Sequence, residues 1–207
     1  MTDAPGTPPA PDPVHAPAPG SGPRDAPLPY RSAVLCVLFD AQGRLLLLHR
    51  RKPPNADLYS PIGGKLELDQ GESPTACAVR EIHEEAGVQV SVADLRLAGL
   101  VSETAYEGQG HWLMFVYEVT RPVDTAVVEF DEGRLEWRHR ASLEALPLPV
   151  TDREIIWPVF WRYRDRGEPF AVHIDCRAGG IRWRVEQPPA DAHDAWQTVL
   201  DQTQTPA

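Results

Sequence analysis

Three carboxylates, Glu81, Glu84 and Glu85, fall within five residues near the end of the segment Gly64 to Val88, GKLELDQGESPTACAVREIHEEAGV. The spacing predicts a helix. Ser73 can cap it, Pro74 is tolerated at its first position, and Gly87 is a natural stop. At about 100° per residue the three glutamates share a face with the small residues Cys77 and Ala78. Val79, Ile82 and Ala86 gather on another face suited to a core. Arg80 stands four residues before Glu84, but no lysine lies between Arg80 and Gly87 to relieve Glu85. Two readings follow. Clustered glutamates are commonly a solvated face. Alternatively, their hard oxygens can hold Mg²⁺, or Mn²⁺ in its place, against a phosphate chain.

The spacing of the whole segment decides between them. It resembles the signature box of the Nudix hydrolases, G-x5-E-x7-R-E-U-x-E-E-x-G-U with U apolar. Glu72, seven residues, and then Arg80 to Val88 match without a gap. From Gly64 to Glu72 there are seven intervening residues rather than five, so the turn around Leu68-Asp69-Gln70 is expected to be longer. Leu58 to Gly64 resembles the family's W-S-P-P-G-G lead-in, with Tyr59 for Trp and Ile62 for Pro. The resemblance implies a metal held by Glu81, Glu84 and Glu85 with a backbone carbonyl at Gly64 or its neighbour Gly63. It implies that Arg80 orients the glutamates and that Glu72 braces the loop. The activity implied is hydrolysis of a diphosphate linkage in a nucleotide-type substrate.

Other residues carry two readings each. Glu132, before the tryptophan-containing stretch at Trp137, stands where related enzymes place a further acid. It is either a ligand or general base, or a solvated loop residue. Tyr106 and Trp112 offer faces on which a base could stack, or are ordinary packing. Arg50, Arg51 and Lys65 are candidate phosphate contacts; Arg50-Arg51-Lys52 equally reads as a solvated run after a strand. His83 lies off the carboxylate face, and no H-E-x-x-H occurs, so zinc is not expected.

Composition narrows the partners. The 207 residues include 30 acidic and 20 basic side chains, a net charge of −10. That disfavours stable binding of a nucleic-acid polymer, which relies on Lys and Arg at phosphates, but not of a small nucleotide. Three cysteines match no zinc or C-x-x-C spacing; Cys36 and Cys176 read as core residues, and a cytoplasmic setting is expected. No apolar run approaches the length of a membrane span. The N-terminus lacks a signal-peptide pattern.

The stretch 1–29, rich in Pro and Ala, reads as a disordered arm. The expected Nudix domain spans 30–165. Within it Ala33 to Phe39, Leu45 to His49, Val88 to Val92, Leu95 to Ser102, His111 to Val119 and Leu135 to His139 read as strands. Thr151-Asp152-Arg153-Glu154 starts a second helix with an apolar face over Ile155 to Tyr163. Residues 166–187 read as a C-terminal β-hairpin that pads the sheet or offers a self-association edge; a homodimer is one possible partner state. The tail 188–207 holds a weak helix near 192–201. Strands and helices mix without strict alternation, giving an α+β class. The resemblance implies an α/β/α sandwich around a mixed sheet. Within the family, the chain lacks the S-Q-P-W-P-F-P string of relatives acting on NADH, and Glu103-Thr104 stands where ADP-ribose hydrolases carry a proline. The expected substrate is a (deoxy)nucleoside triphosphate. A dinucleoside polyphosphate, to which Tyr106 gives slight support, a nucleotide sugar, and non-catalytic nucleotide sensing are the alternatives.

Overall fold

Four consecutive leucines, Leu45 to Leu48, need a strand covered on both faces, and the computed structural model provides one. It describes residues 28–53, 55–126, 129–177, 180–187 and 197–199. Strand β1 is Tyr30–Val37 and β2 is Leu45–Arg50. Leu45 and Leu47 pack into one core and Leu46 and Leu48 into another, all of them at most 1% exposed. The turn joining β1 to β2 is fixed by Asp40, whose carboxylate accepts from the backbone N–H groups of Gln42 and Arg44 at 2.9 and 2.8 Å.

The remaining elements are β3 (Tyr59–Ser60), α1 (Pro74–Ala86), β4 (Leu95–Tyr106), β5 (Gly110–Val119), β6 (Glu129–Phe130), β7 (Gly133–Arg138), α2 (Trp157–Arg164), β8 (Phe170–Asp175), β9 (Arg182–Val185) and β10 (Gln197–Thr198). One sheet runs β1-β5-β4-β8-β9-β10, and the other β3-β2-β7-β6. In the first sheet β1 lies parallel to β5 and β4 parallel to β8, while its other neighbours are antiparallel, so the sheet is mixed. The residues of α1 share a core with Val34, Cys36 and Tyr117. Those of α2 share the other with Ala33, Val101 and Met114. Because alternate strand residues point to opposite faces, α1 and α2 lie on opposite sides of the sheets: an α/β/α sandwich of the α+β class.

Several expectations shift. Residues 88–92 form no strand. The chain there runs into a 3₁₀ turn at Val92–Asp94, closed by a capping box in which Asp94 accepts from the Ser91 backbone N–H at 2.8 Å. On α1 the buried residues are Cys77, Ala78, Ile82 and Ala86, while Val79 is only partly covered; the core stripe is rotated toward the glutamates. Cys36 is fully buried, but Cys176 is partly exposed. Beyond α2, Phe170, Val172 and Ile174 of β8 are buried beside β4, so β8 and β9 extend the sheet rather than stand apart from it. The helix expected near 192–201 lies mostly outside the described residues, and Gln197–Thr198 within it pair with β9. Most of the arm and tail also lie outside the described residues.

Candidate functional site

Helix α1 begins as its sequence requires. The Ser73 hydroxyl accepts from the Ala76 N–H at 3.2 Å, and Gly87 closes the helix at φ 65°. Arg80 then gathers the acids around it. Its guanidinium donates to Glu72 at 2.8 and 2.9 Å, to Glu81 at 2.7 Å and to Glu84 at 3.0 Å. The bidentate pair holds the Glu72 carboxyl down at about 2. Glu72 also accepts from the Glu67 N–H at 2.9 Å. The extra residues of the loop are absorbed by a 3₁₀ turn, Leu68–Gln70, ending at Gly71 in the left-handed region. Glu72 therefore braces the loop despite the insertion.

The Gly63-Gly64 loop is strapped to β1. The Val34 and Cys36 N–H groups donate to the Gly64 and Ile62 carbonyls, each at 2.8 Å. Gly63 is required by close approach of backbone, and Gly64 leaves room for the side chain of Glu81. Gly63 has φ 142° and a Cβ there would strike the Val34 carbonyl, while a Cβ at Gly64 would strike the Glu81 carboxylate. The Gly63 N–H donates to Glu85 at 2.9 Å. Burial pushes the Glu85 carboxyl up to about 8, with Glu81 and Glu132 adding to the rise, and burial also raises Glu81.

A cleft of about 410 Å³ opens beside this loop. Glu81, Glu85, Gly64, Lys65, Arg50 and Glu132 line it. Glu132 sits in the tight hairpin between β6 and β7, where its carbonyl accepts from the Arg51 N–H at 2.8 Å. Tyr106 and Trp112 line the same cleft. The Tyr106 hydroxyl donates to Asn55 at 2.7 Å, and Arg31 lies over the Trp112 ring at 5.3 Å.

Two of the expected residues stand elsewhere. Glu84 is 56% exposed and is turned to Arg80 outside the cleft wall. Arg51 is exposed, outside the wall, and spends its charge on Glu129. Lys52 likewise pairs with Asp131 at 3.2 Å, and His83 meets Gln89 on the surface. Among the described residues no three His, Cys, Asp or Glu side chains converge into a ready-made metal cage. The reason is Arg80, which draws Glu81 and Glu84 toward itself. The donors nearest the loop are nevertheless all hard oxygens: Glu81, Glu85 and the Gly64 carbonyl, which accepts from the Val34 N–H and, weakly at 3.9 Å, from the Cys77 thiol. That set fits a hard divalent cation.

The polar cleft residues not singled out as site residues from the sequence include Asn55, Ser60, Glu103, Thr151 and Asp152. Glu103 carried a signal. It occupies an inward position of β4 in alternation with Val101 and Ala105 and is only 4% exposed. Burial raises its carboxyl, as it does that of Asp152, where the charge of Glu103 adds to the effect. Asp152 was legible only as part of a helix start, since its position follows from a π-helical turn, Asp152–Ile156, whose closing Trp157 N–H reaches back five residues to the Asp152 carbonyl. Pro158 has no N–H to offer a regular i−4 partner there.

This arrangement agrees with comparison to known proteins. The family model for the NUDIX domain matches residues 29–159. The uncharacterised Nudix hydrolase YvcI of Bacillus subtilis (strain 168) is 30% identical over 130 residues, covering 61% of this chain and 78% of that protein. An RNA pyrophosphohydrolase of Rhodospirillum rubrum is 31% identical over 140 residues, covering 60% of this chain and 81% of its own. Matches to an octanoyltransferase of Myxococcus xanthus and an RNA pyrophosphohydrolase of Roseobacter denitrificans span only 20% and 42% of those proteins. In fold, the MutT protein of Bacillus halodurans superposes with a TM-score of 0.60 at 23% identity, over 77% of this chain and 99% of that one. The match over well above half the chain, with the Glu72 to Val88 box folded into one loop-helix unit, places this protein in the Nudix hydrolase family.

Proposed function

We propose that this chain hydrolyses the diphosphate linkage of a nucleotide, most simply a (deoxy)nucleoside triphosphate, with Mg²⁺ as the metal and Mn²⁺ able to replace it. The observation that carries this reading is the cleft itself. Glu81, Glu85 and Glu132 face it together with Arg50 and Lys65, so acids that suit a cation stand beside bases that suit phosphate. Glu81, Glu85 and the Gly64 carbonyl would hold the ion, whose contribution when bound is to neutralise phosphate charge and acidify water. Arg50 and Lys65 orient the phosphate oxygens. Arg80 fixes Glu72 and Glu81 and has no role at the substrate. Glu132 takes the proton of the attacking water, because oxygens of Glu81 and Glu85 are already engaged by Arg80 and the Gly63 N–H. Such general-base help is typically worth about 10²–10⁴ in rate.

The names of relatives such as the Rhodospirillum rubrum protein favour a second reading, in which the same phosphate chain is the 5′ end of an RNA. The net charge of −10 speaks against gripping the rest of the polymer. A panel of nucleoside triphosphates and a 5′-triphosphorylated RNA, each in ¹⁸O-labelled water with Mg²⁺, tests both. The expected result is label on a phosphorus of the nucleotide products, lost in excess EDTA. Label on a sugar carbon, or undiminished turnover in EDTA, would overturn the reading.

A further inference from the structure

We propose that Glu103 and Asp152 form the base-recognition end of the cleft and take the paired N–H donors of a 2-amino-oxopyrimidine edge, the edge carried by guanine. The inference rests on the cleft being the substrate cleft of the preceding section.

The first support is a contrast among buried acids. Asp40 is paired with Arg44, Glu118 with Arg96 and Arg164, and Asp175 with Arg177 and Arg182. Glu103 is more deeply buried than Asp40 or Glu118, yet among the described residues it meets only the Thr151 hydroxyl and, at 3.7 Å, the Cys176 thiol. The Asp152 side chain, partly covered, makes no hydrogen bond or ion pair with any described residue, and the charge that acts on it is that of Glu103. An acid buried without a cation is costly. A chain that supplies arginine to three other buried acids and withholds it from two facing one cleft leaves acceptor capacity there for a ligand.

The backbone is irregular at both positions. Just past Glu103 the β4–β5 register slips before Tyr106, with Ala105 at φ 56°; Asp152 opens the π-helical turn. Bulges and π-turns of this kind re-aim side chains and concentrate at functional sites. Across from Glu103 on β5 stands Trp112, whose ring offers a platform for a flat heterocycle.

The chemistry selects the ligand. Two neighbouring carboxyls repel, so the pair tends to retain one proton. The ionised member can accept two parallel N–H bonds and the protonated member can donate one. Guanine presents a carbonyl oxygen, a ring N–H and an amino group in that order. Uracil offers one N–H between two carbonyls, and adenine and cytosine place an amino group beside an unprotonated ring nitrogen. The 2-amino-4-oxo edge of a pterin matches equally.

The test compares kcat/KM for GTP, ITP, ATP and UTP in the full chain and in Glu103→Gln and Asp152→Asn, with melting curves to confirm folding. ITP differs from GTP only in lacking the amino group. The expected GTP over ITP preference is roughly tenfold or more, shrinking toward unity in either variant. A triphosphate of a 2-amino-4-oxopteridine, run beside GTP, tells which source of the edge is preferred. Equilibrium titration with guanosine and with inosine, both lacking phosphates, separates this inference from the one below it. Guanosine binding that weakens in both variants supports the base site even if no nucleotide is cleaved. Triphosphates hydrolysed without regard to base, or guanosine and inosine bound equally, would overturn it while leaving the phosphohydrolase reading intact.

Discussion

On α1, Arg80 donates to Glu72, Glu81 and Glu84; across the cleft, Glu103 and Asp152 meet no arginine or lysine among the described residues. Both groups are acidic and both face or flank one cavity, yet the chain handles them oppositely. Where carboxylates must stand at fixed positions next to a loop, the protein supplies its own cation and hydrogen bonds to the loop backbone. Where it supplies none, burial keeps protons on. The difference separates a preorganised scaffold from a surface whose polarity is completed from outside.

The largest effect expected on this comparison is at Glu85. Glu85→Gln keeps shape but removes an anionic oxygen beside Glu81, and turnover should fall about 10²-fold or more with the melting temperature held within a few degrees. Near wild-type turnover at limiting Mg²⁺ would move the chemistry off α1. Next is the clamp. Arg80→Ala leaves Glu72, 11% exposed, without its bidentate partner, and a loss of about 2 kcal/mol in denaturant unfolding is expected. A loss under about 0.5 kcal/mol would mean that the loop does not depend on Arg80.

The third prediction turns the contrast into opposite pH limbs. Glu72 is lowered from 4.5 to about 2, so its contribution is complete above pH 4.5 and disappears as pH falls toward 2. Glu103 is raised from 4.5 to about 7, so the folded state binds the extra proton and stability declines as pH climbs through that window. Glu103→Gln should remove its share of that decline, leaving the shares of Asp152 and Glu85, and be more stable than the wild type at pH 8 by about 1–2 kcal/mol, whereas Glu72→Gln should flatten the acid limb. Urea titrations at pH 3, 5 and 8 distinguish these outcomes, and a Glu103→Gln variant less stable at pH 8 would break the contrast. The smallest effect is at Arg51. It is exposed and engaged with Glu129, so Arg51→Ala should change kcat/KM by less than twofold and stability by no more than about 0.5 kcal/mol. A tenfold rise in KM would restore Arg51 to the phosphate site.

What could be read from sequence follows from how local each cause is. The cap at Ser73 and the stop at Gly87 depend on spacing within one helix, and both are found; of the three glutamates expected on one face, Glu81 and Glu85 line the cleft and Glu84 does not. Arg80 was expected to orient the glutamates; it donates to Glu81 and Glu84 and also reaches back eight residues to Glu72. The division of the Arg50-Arg51-Lys52 run was not legible, since it depends on Glu129 and Asp131 being brought opposite by the β6–β7 hairpin. The strand expected at 88–92 failed because a Ser91–Asp94 cap outcompeted its apolar alternation. Asp152 was beyond reach for a different reason. Its place depends on Trp157 bonding one residue further back than a regular helix would, a choice tied to Pro158 and to packing against β4.

That π-helical turn makes the acid pair unusually sensitive to chain length. A turn closed by an i−5 bond holds one residue more than a regular one. Deleting a single residue between Arg153 and Ile156 would restore the common geometry and rotate everything before it by about 100° relative to α2. The core face of α2, with Phe160 and Tyr163 almost wholly buried, would stay in place, while Asp152 would swing away from Glu103. A one-codon loss, rather than a change of residue type, would thus be enough to redraw what the cleft recognises without disturbing the fold beneath it.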